Sequence, residues 1–177
     1  MKNNYHKQFE ILEKTRLNII TLAKKLDGTQ QNTPTAPDKW SVNQIICHLI
    51  MAENGTLESM NKRIMYGKVK EKITILSAIR LFMLKFILNN KIKLKAPEAV
   101  AYPPNISDFD ENITKWNEIR NKLKTYIQNF DATLANNMIF KHPIAGPMNL
   151  RQLLEYLHAH QSAHEKQIAD IVSSISK

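Results

Sequence analysis

Residues 150–171 read LRQLLEYLHAHQSAHEKQIADI. Projected as a helix, Leu150, Leu153, Leu157, His160, His164, Ile168 and Ile171 fall on one stripe, the recurrence of an amphipathic α-helix. Two imidazoles interrupt an otherwise aliphatic seam. Four residues apart, both rings project from one face, and their nitrogens can reach a common metal ion at about 2.0–2.1 Å. A buried imidazole without a partner is costly, and one ion satisfies two rings at once. The bland alternative is an HxxxH pair of the kind common on solvated helices. Its place on the apolar stripe is what favours a metal.

Three more long helices can be read upstream. The first runs from about Tyr5 to Leu26, with Tyr5, Phe9, Leu12, Ile19, Ala23 and Leu26 at helical spacing and Asp27-Gly28 as a stop signal. A polar loop, Thr29 to Lys39, follows. The second helix opens on Ser41 with Gln44 three residues later, a capping-box pattern, and Trp40 and Ile45 occupy the staple positions. The third starts near Ser107 or Asp108 and carries Phe109, Trp116, Ile119, Leu123, Tyr126 and Phe130. A loop from Asn136 to Met148 leads into the fourth helix, which starts at Asn149 and has Gln152 at its third position. Four amphipathic helices predict an all-α four-helix bundle forming a single domain over 1–177, with no internal repeat.

Composition agrees with this. A chain of 177 residues with 43% apolar content suits one domain with its own core. Four glycines are too few for a turn-rich all-β fold. The single cysteine, Cys47, excludes an intrachain disulfide and a thiolate zinc site. The N-terminal residues lack the apolar core of a signal peptide, so a reducing, cytoplasmic location is expected.

Charge is unevenly placed. The net charge is +9, and residues 61–95 hold ten cations against Glu71 alone, leaving 15 basic and 15 acidic residues elsewhere. Within this insert Ile73–Leu88 is strongly apolar but carries Arg80 and Lys85. It is too short and too charged for a membrane span, and reads as a short extra helix between the second and third long ones. Ala96 to Pro104 reads as an extended connection. An interfacial helix on a membrane surface is an alternative reading of the insert, but a packed helix with a solvated basic edge is the expectation. The insert has few aromatics for base stacking, so nucleic acid is not an expected partner.

A third metal ligand must come from another helix. His48 lies beside the apolar face of the second helix; taken alone, it reads equally well as a satisfied core histidine. His158 points about 200° away from His160 and reads as a surface or flanking residue. His142 precedes Pro143 in a loop; it reads as a turn residue, with lining a pocket mouth as the alternative. Cys47 reads as a small buried apolar residue rather than a nucleophile.

The residues Trp40-Ser41 followed by His48-Leu49, the run His142-Pro143-Ile144-Ala145-Gly146-Pro147-Met148-Asn149-Leu150, and His160-Gln161-Ser162-Ala163-His164-Glu165-Lys166-Gln167-Ile168 together resemble the DinB/YfiT-like superfamily of metalloenzymes. They stand in that family's order, from about Pro37 to Ile171. The resemblance implies an up-down-down-up four-helix bundle, often homodimeric. It also implies a three-histidine site for a divalent ion, typically nickel or zinc, carried onto His48, His160 and His164. Relatives with known activity include thiol-dependent S-transferases and a mycothiol-dependent isomerase. The chain departs from the family at Met51, where an acidic residue is common. Glu53 is the nearest substitute, but it sits about 140° from His48 on an ideal helix and reads as a solvated residue. Gln167, one turn beyond His164, either orients a ligand or substrate or makes an ordinary helix contact.

Three neutral histidines leave an open coordination position, as in catalytic zinc sites. The expected activity is therefore metal-dependent, with water or a low-molecular-weight thiol activated for transferase or hydrolase chemistry on a small molecule. A non-catalytic metal-binding bundle is the alternative.

Overall fold

The computed structural model describes residues 2–90, 92 and 98–175. Four long helices carry the architecture: α1 (Lys2–Ala23), α3 (Val42–Met65), α6 (Phe109–Gln128) and α7 (Leu150–Ile175). They close a ring in which α1 packs on α7, α7 on α3, α3 on α6 and α6 on α1. The shared core includes Leu12 and Ile19 from α1, Ile45 and Leu49 from α3, Trp116 and Leu123 from α6, and Leu153 and Ile168 from α7. The all-α bundle expected from the helical periodicities is the fold observed.

The helix starts follow local hydrogen-bond chemistry. Ser41 caps α3: its hydroxyl accepts from the Gln44 amide, and the Gln44 side chain accepts from the Ser41 amide. Asn149 and Gln152 make the same reciprocal pair ahead of α7, at 2.9 and 3.2 Å. Each exchange satisfies two of the four donors that a helix N-terminus leaves free. Ser41 is fully buried, and Ser41→Ala is expected to lower stability by about 1 kcal/mol, measurable as an earlier urea midpoint at unchanged slope.

Three connections differ from the sequence reading. The helix expected to run to Leu26 ends at Ala23, and Leu26 lies in a tighter turn, still buried. Asp27-Gly28 does not simply stop it. Asp27 caps a second short helix, α2 (Gly28–Asn32), by a capping box with Gln30, so part of the expected polar loop is helical. Gln31 is buried here and donates to the carbonyls of Ala23 and Leu26, closing the end of α1.

The expected loop 136–148 contains an antiparallel hairpin, β1 (Phe140–His142) with β2 (Gly146–Met148). Gly146 has φ +75°, and a Cβ there would stand 3.2 Å from the Arg80 guanidinium; both features favour glycine.

The insert forms α4 (Ile75–Asn89), capped by Thr74, close to the expected span. It packs outside the ring, against α7. The connection expected to be extended contains a short helix, α5 (Glu98–Ala101), which packs on α3. Lys91, Lys93, Lys95, Ala96 and Pro97 lie outside the described residues. No helix among the described residues is long and apolar enough to cross a membrane.

Candidate metal centre

Packing α7 against α3 brings His160 and His164 to His48. The ring centroids form a nearly regular triangle: 5.2 Å from His48 to His160, 5.1 Å from His48 to His164 and 4.8 Å from His160 to His164. One nitrogen from each ring lies within 4.8 Å of the others, and among the described residues this is the group of histidine, cysteine and carboxylate side chains placed to hold an ion. The α7 pair meets because i and i+4 side chains stack on one helix face.

Two of the rings have their outward nitrogen committed. His48 Nδ1 is 2.8 Å from the Val100 carbonyl oxygen, which only accepts, so Nδ1 carries the proton and donates. His164 Nδ1 is 2.9 Å from Gln167 Oε1 and donates in the same way. These contacts fix the tautomer that leaves each Nε2 as a lone-pair donor, the arrangement that orients metal-binding imidazoles. His48 Nε2 stands 3.2 Å from His160 Nε2. Tetrahedral coordination at about 2.0–2.1 Å spaces ligand nitrogens by roughly 3.3 Å, which this pair already matches.

The electrostatics agree with the geometry. Burial lowers the pKa of His48, against the pull of the Val100 hydrogen bond. Burial, then the neighbouring His164, holds His160 well below the ordinary histidine range. Burial, then His48, brings His164 down to about 4. All three rings are therefore neutral at pH 7, the state a ligand must be in. A donor set of three neutral imidazoles fits a divalent ion of the borderline class, with no carboxylate to favour calcium or magnesium.

The surroundings hold the rings in place. The Trp40 ring lies 4.9 Å from His48 at 45°. Tyr156, one turn before His160, stacks on it at 5.7 Å and 14°. His142, on β1, is buried and 4.5 Å from Tyr156. Its Nδ1 accepts from the amides of Ile144 and Ala145, so it forms the hairpin turn and stands one aromatic ring away from His160. Burial lowers its pKa to about 4. His158 is half-buried. Cys47 is buried with Sγ 3.4 Å from Ser107 Oγ, in the expected packing role.

Glu53 departs from its sequence reading. It is not a solvated helix residue: its side chain is 2% exposed. Oε1 accepts from Arg120 at 2.8 Å and from Gln161, and Oε2 accepts from the Trp116 indole at 3.1 Å. Arg120 also faces Glu13 of α1 at 3.8 Å. Burial raises the Glu53 carboxyl above its ordinary value, and Arg120 and the other donors pull it back only in part. Among the described residues its two oxygens face three donors, Arg120, Gln161 and Trp116, an arrangement that favours the anion paired to Arg120. The hub joins all four long helices, and Gln161 connects it to the turn of α7 that presents His160.

Sequence reasoning missed the Val100 carbonyl, Tyr156 and the Glu53 partners. A backbone carbonyl has no residue signature. Tyr156 was accessible in principle, since it precedes His160 by four residues.

A shallow pocket of ≈ 370 Å³ is lined by Trp40, Gln44, Ala101, Tyr102, Pro104 and Asn105 among others; the three histidines are not in its lining, and Trp40, whose ring lies against His48, is its link to them.

The family model of the DinB superfamily matches residues 11–168. No curated protein and no solved structure matches the chain.

Proposed function

Because the chain belongs to the DinB superfamily, we propose that it is a divalent-metal-dependent enzyme acting on a small molecule, with His48, His160 and His164 as ligands. The observation that carries this reading is the commitment of His48 Nδ1 to Val100 and of His164 Nδ1 to Gln167. It leaves an inward-facing lone pair on each of these rings, buried at His48 and half-buried at His164, with both rings neutral at pH 7.

His48, His160 and His164 would hold a nickel or zinc ion, which when bound would supply Lewis-acid chemistry, lowering the pKa of water or a low-molecular-weight thiol. Transferase or hydrolase chemistry follows from a nucleophile generated in that way. The chain's own part is placement and exclusion of bulk water. Val100 and Gln167 set the tautomers of His48 and His164. Tyr156 backs His160, and Trp40 flanks His48 at the wall of the ≈ 370 Å³ pocket, where a small substrate has room. Cys47 takes no part as nucleophile, being buried against Ser107. The lone cysteine and the thiol chemistry both suit a reducing, cytoplasmic compartment.

The test is turnover against a panel of low-molecular-weight thiols paired with electrophiles, and of hydrolysable esters and amides. The reading predicts activity that a chelator abolishes and added nickel or zinc restores. Metal binding without turnover across the panel would leave the non-catalytic alternative in its place.

Gln167 supplies a separate prediction. Gln167→Ala frees the His164 tautomer and is expected to weaken metal affinity by roughly 10–100-fold, read by competition with a chelating dye. An unchanged affinity would reduce the Gln167 contact to ordinary helix packing.

A further inference from the structure

Helix α4 is apolar on two opposite sides, and only one of them is covered. Ser77, Leu81 and Leu84 are buried toward the bundle. On the other side Ile75, Leu76, Ile79, Phe82, Met83 and Phe86 are each at least 50% exposed, Ile75 reaching 83% and Phe82 71%. At 100° per residue these six fall within an arc of about 120°. A contiguous run of exposed large apolar side chains on a water-soluble surface marks an interaction site.

The charges around the stripe indicate what covers it. Arg80 lies at one edge of the arc and Lys85 at the other. Arg80 is exposed, and Lys85 is tied to Glu155 at 3.2 Å. Lys68, Lys70 and Lys72, all exposed, lead into the N-terminus of the helix. The helix itself contains no acidic residue, and residues 61–95 carry ten cations against Glu71. Two copies meeting through this face would set one strongly basic segment against another, which like-charge repulsion opposes. An anionic lipid surface is complementary to both features, since it takes up the apolar face of a helix lying in its plane and attracts the cations that rim it. The stripe belongs to a single helix standing outside the four-helix ring, so it can lie on a flat surface without the bundle opening. At about 22 Å, α4 is long enough to lie along such a surface and is not a span.

We propose that α4 is a peripheral membrane-docking element, seating Phe82, Phe86 and their apolar neighbours in the interface of an anionic bilayer while Arg80, Lys68, Lys70 and Lys72 contact lipid headgroups. The proposal is independent of the metal centre.

Vesicle co-sedimentation tests it, with the full chain and vesicles of mixed phosphatidylglycerol and phosphatidylcholine. The wild type is expected to bind these vesicles and to bind pure phosphatidylcholine vesicles at least about tenfold more weakly. The double variant Phe82→Ser/Phe86→Ser is expected to lose at least about tenfold of the anionic-vesicle binding at an unchanged melting temperature, because both rings face solvent. Failure of the wild type to bind, or equal binding by the double variant, overturns the proposal. So does a dimer, seen by sedimentation equilibrium, that the double variant abolishes in a protein that ignores vesicles, since the face would then be covered by a second copy.

Discussion

Glu53→Ala is expected to destabilise the protein by about 3–5 kcal/mol. The substitution leaves the Arg120 guanidinium, only 3% exposed, without its 2.8 Å counter-charge, and leaves the Trp116 and Gln161 donors without an acceptor. The penalty is that of a buried charge left with only the longer 3.8 Å contact to Glu13, plus unmade hydrogen bonds. For a chain of this length each kcal/mol moves the melting temperature by roughly 2–4 °C, so thermal melts resolve the effect easily. The paired replacement Glu53→Met/Arg120→Met removes both charges together. It is expected to recover much of the loss, since apolar substitutes for a whole buried ion pair are often close to neutral. A loss under about 1 kcal/mol for Glu53→Ala, typical of surface positions, would mean that the carboxylate is hydrated after all.

The second large effect is stabilisation by metal. A ligand that binds the folded state alone stabilises it by roughly 2.7 kcal/mol at a hundred times its Kd. Titrating nickel or zinc into metal-free protein is therefore expected to raise the melting temperature by several degrees at saturation. In His160→Ala that rise is expected to vanish, with chelator-treated protein as the baseline for each variant. Two nitrogens remain in the variant, but His48 Nε2 has lost the neighbour that stands 3.2 Å from it. An equal rise in both proteins would place the ion elsewhere on the chain.

Much of the bundle was legible from side-chain periodicity and cap chemistry. Ser41 with Gln44, and Asn149 with Gln152, marked helix starts that form as reciprocal hydrogen bonds. The stripe on α7 placed His160 and His164 together because that helix alternates between a buried and a more exposed side. The same reasoning failed for Glu53. From Ser41 to Ile50 every residue of α3 and its cap is buried, because α2, α5, α6 and α7 all pack on this helix. A helix covered on several sides has no single inward face, so an angle of about 140° from His48 does not imply solvent.

Asp27-Gly28 looks like a stop signal, yet Asp27 and Gln30 also form a capping box, so the residues that end one helix begin the next. The hairpin Phe140–His142 with Gly146–Met148 has strands of three residues, too short for an alternating pattern to declare itself. On α4 the difficulty was the reverse. Apolar residues lie around most of the helix, so its sequence left open which side would meet the bundle; contact with α7 covers the Leu81 and Leu84 side and leaves Phe82 and Phe86 in solvent.

In the proposed function His48, His160 and His164 hold one divalent ion. The most direct measurement is elemental analysis of the wild type beside His160→Ala, both purified without chelator. About one nickel or zinc ion per wild-type chain is expected, with a metal content near background in the variant. Equal metal content in the two proteins would contradict this reading.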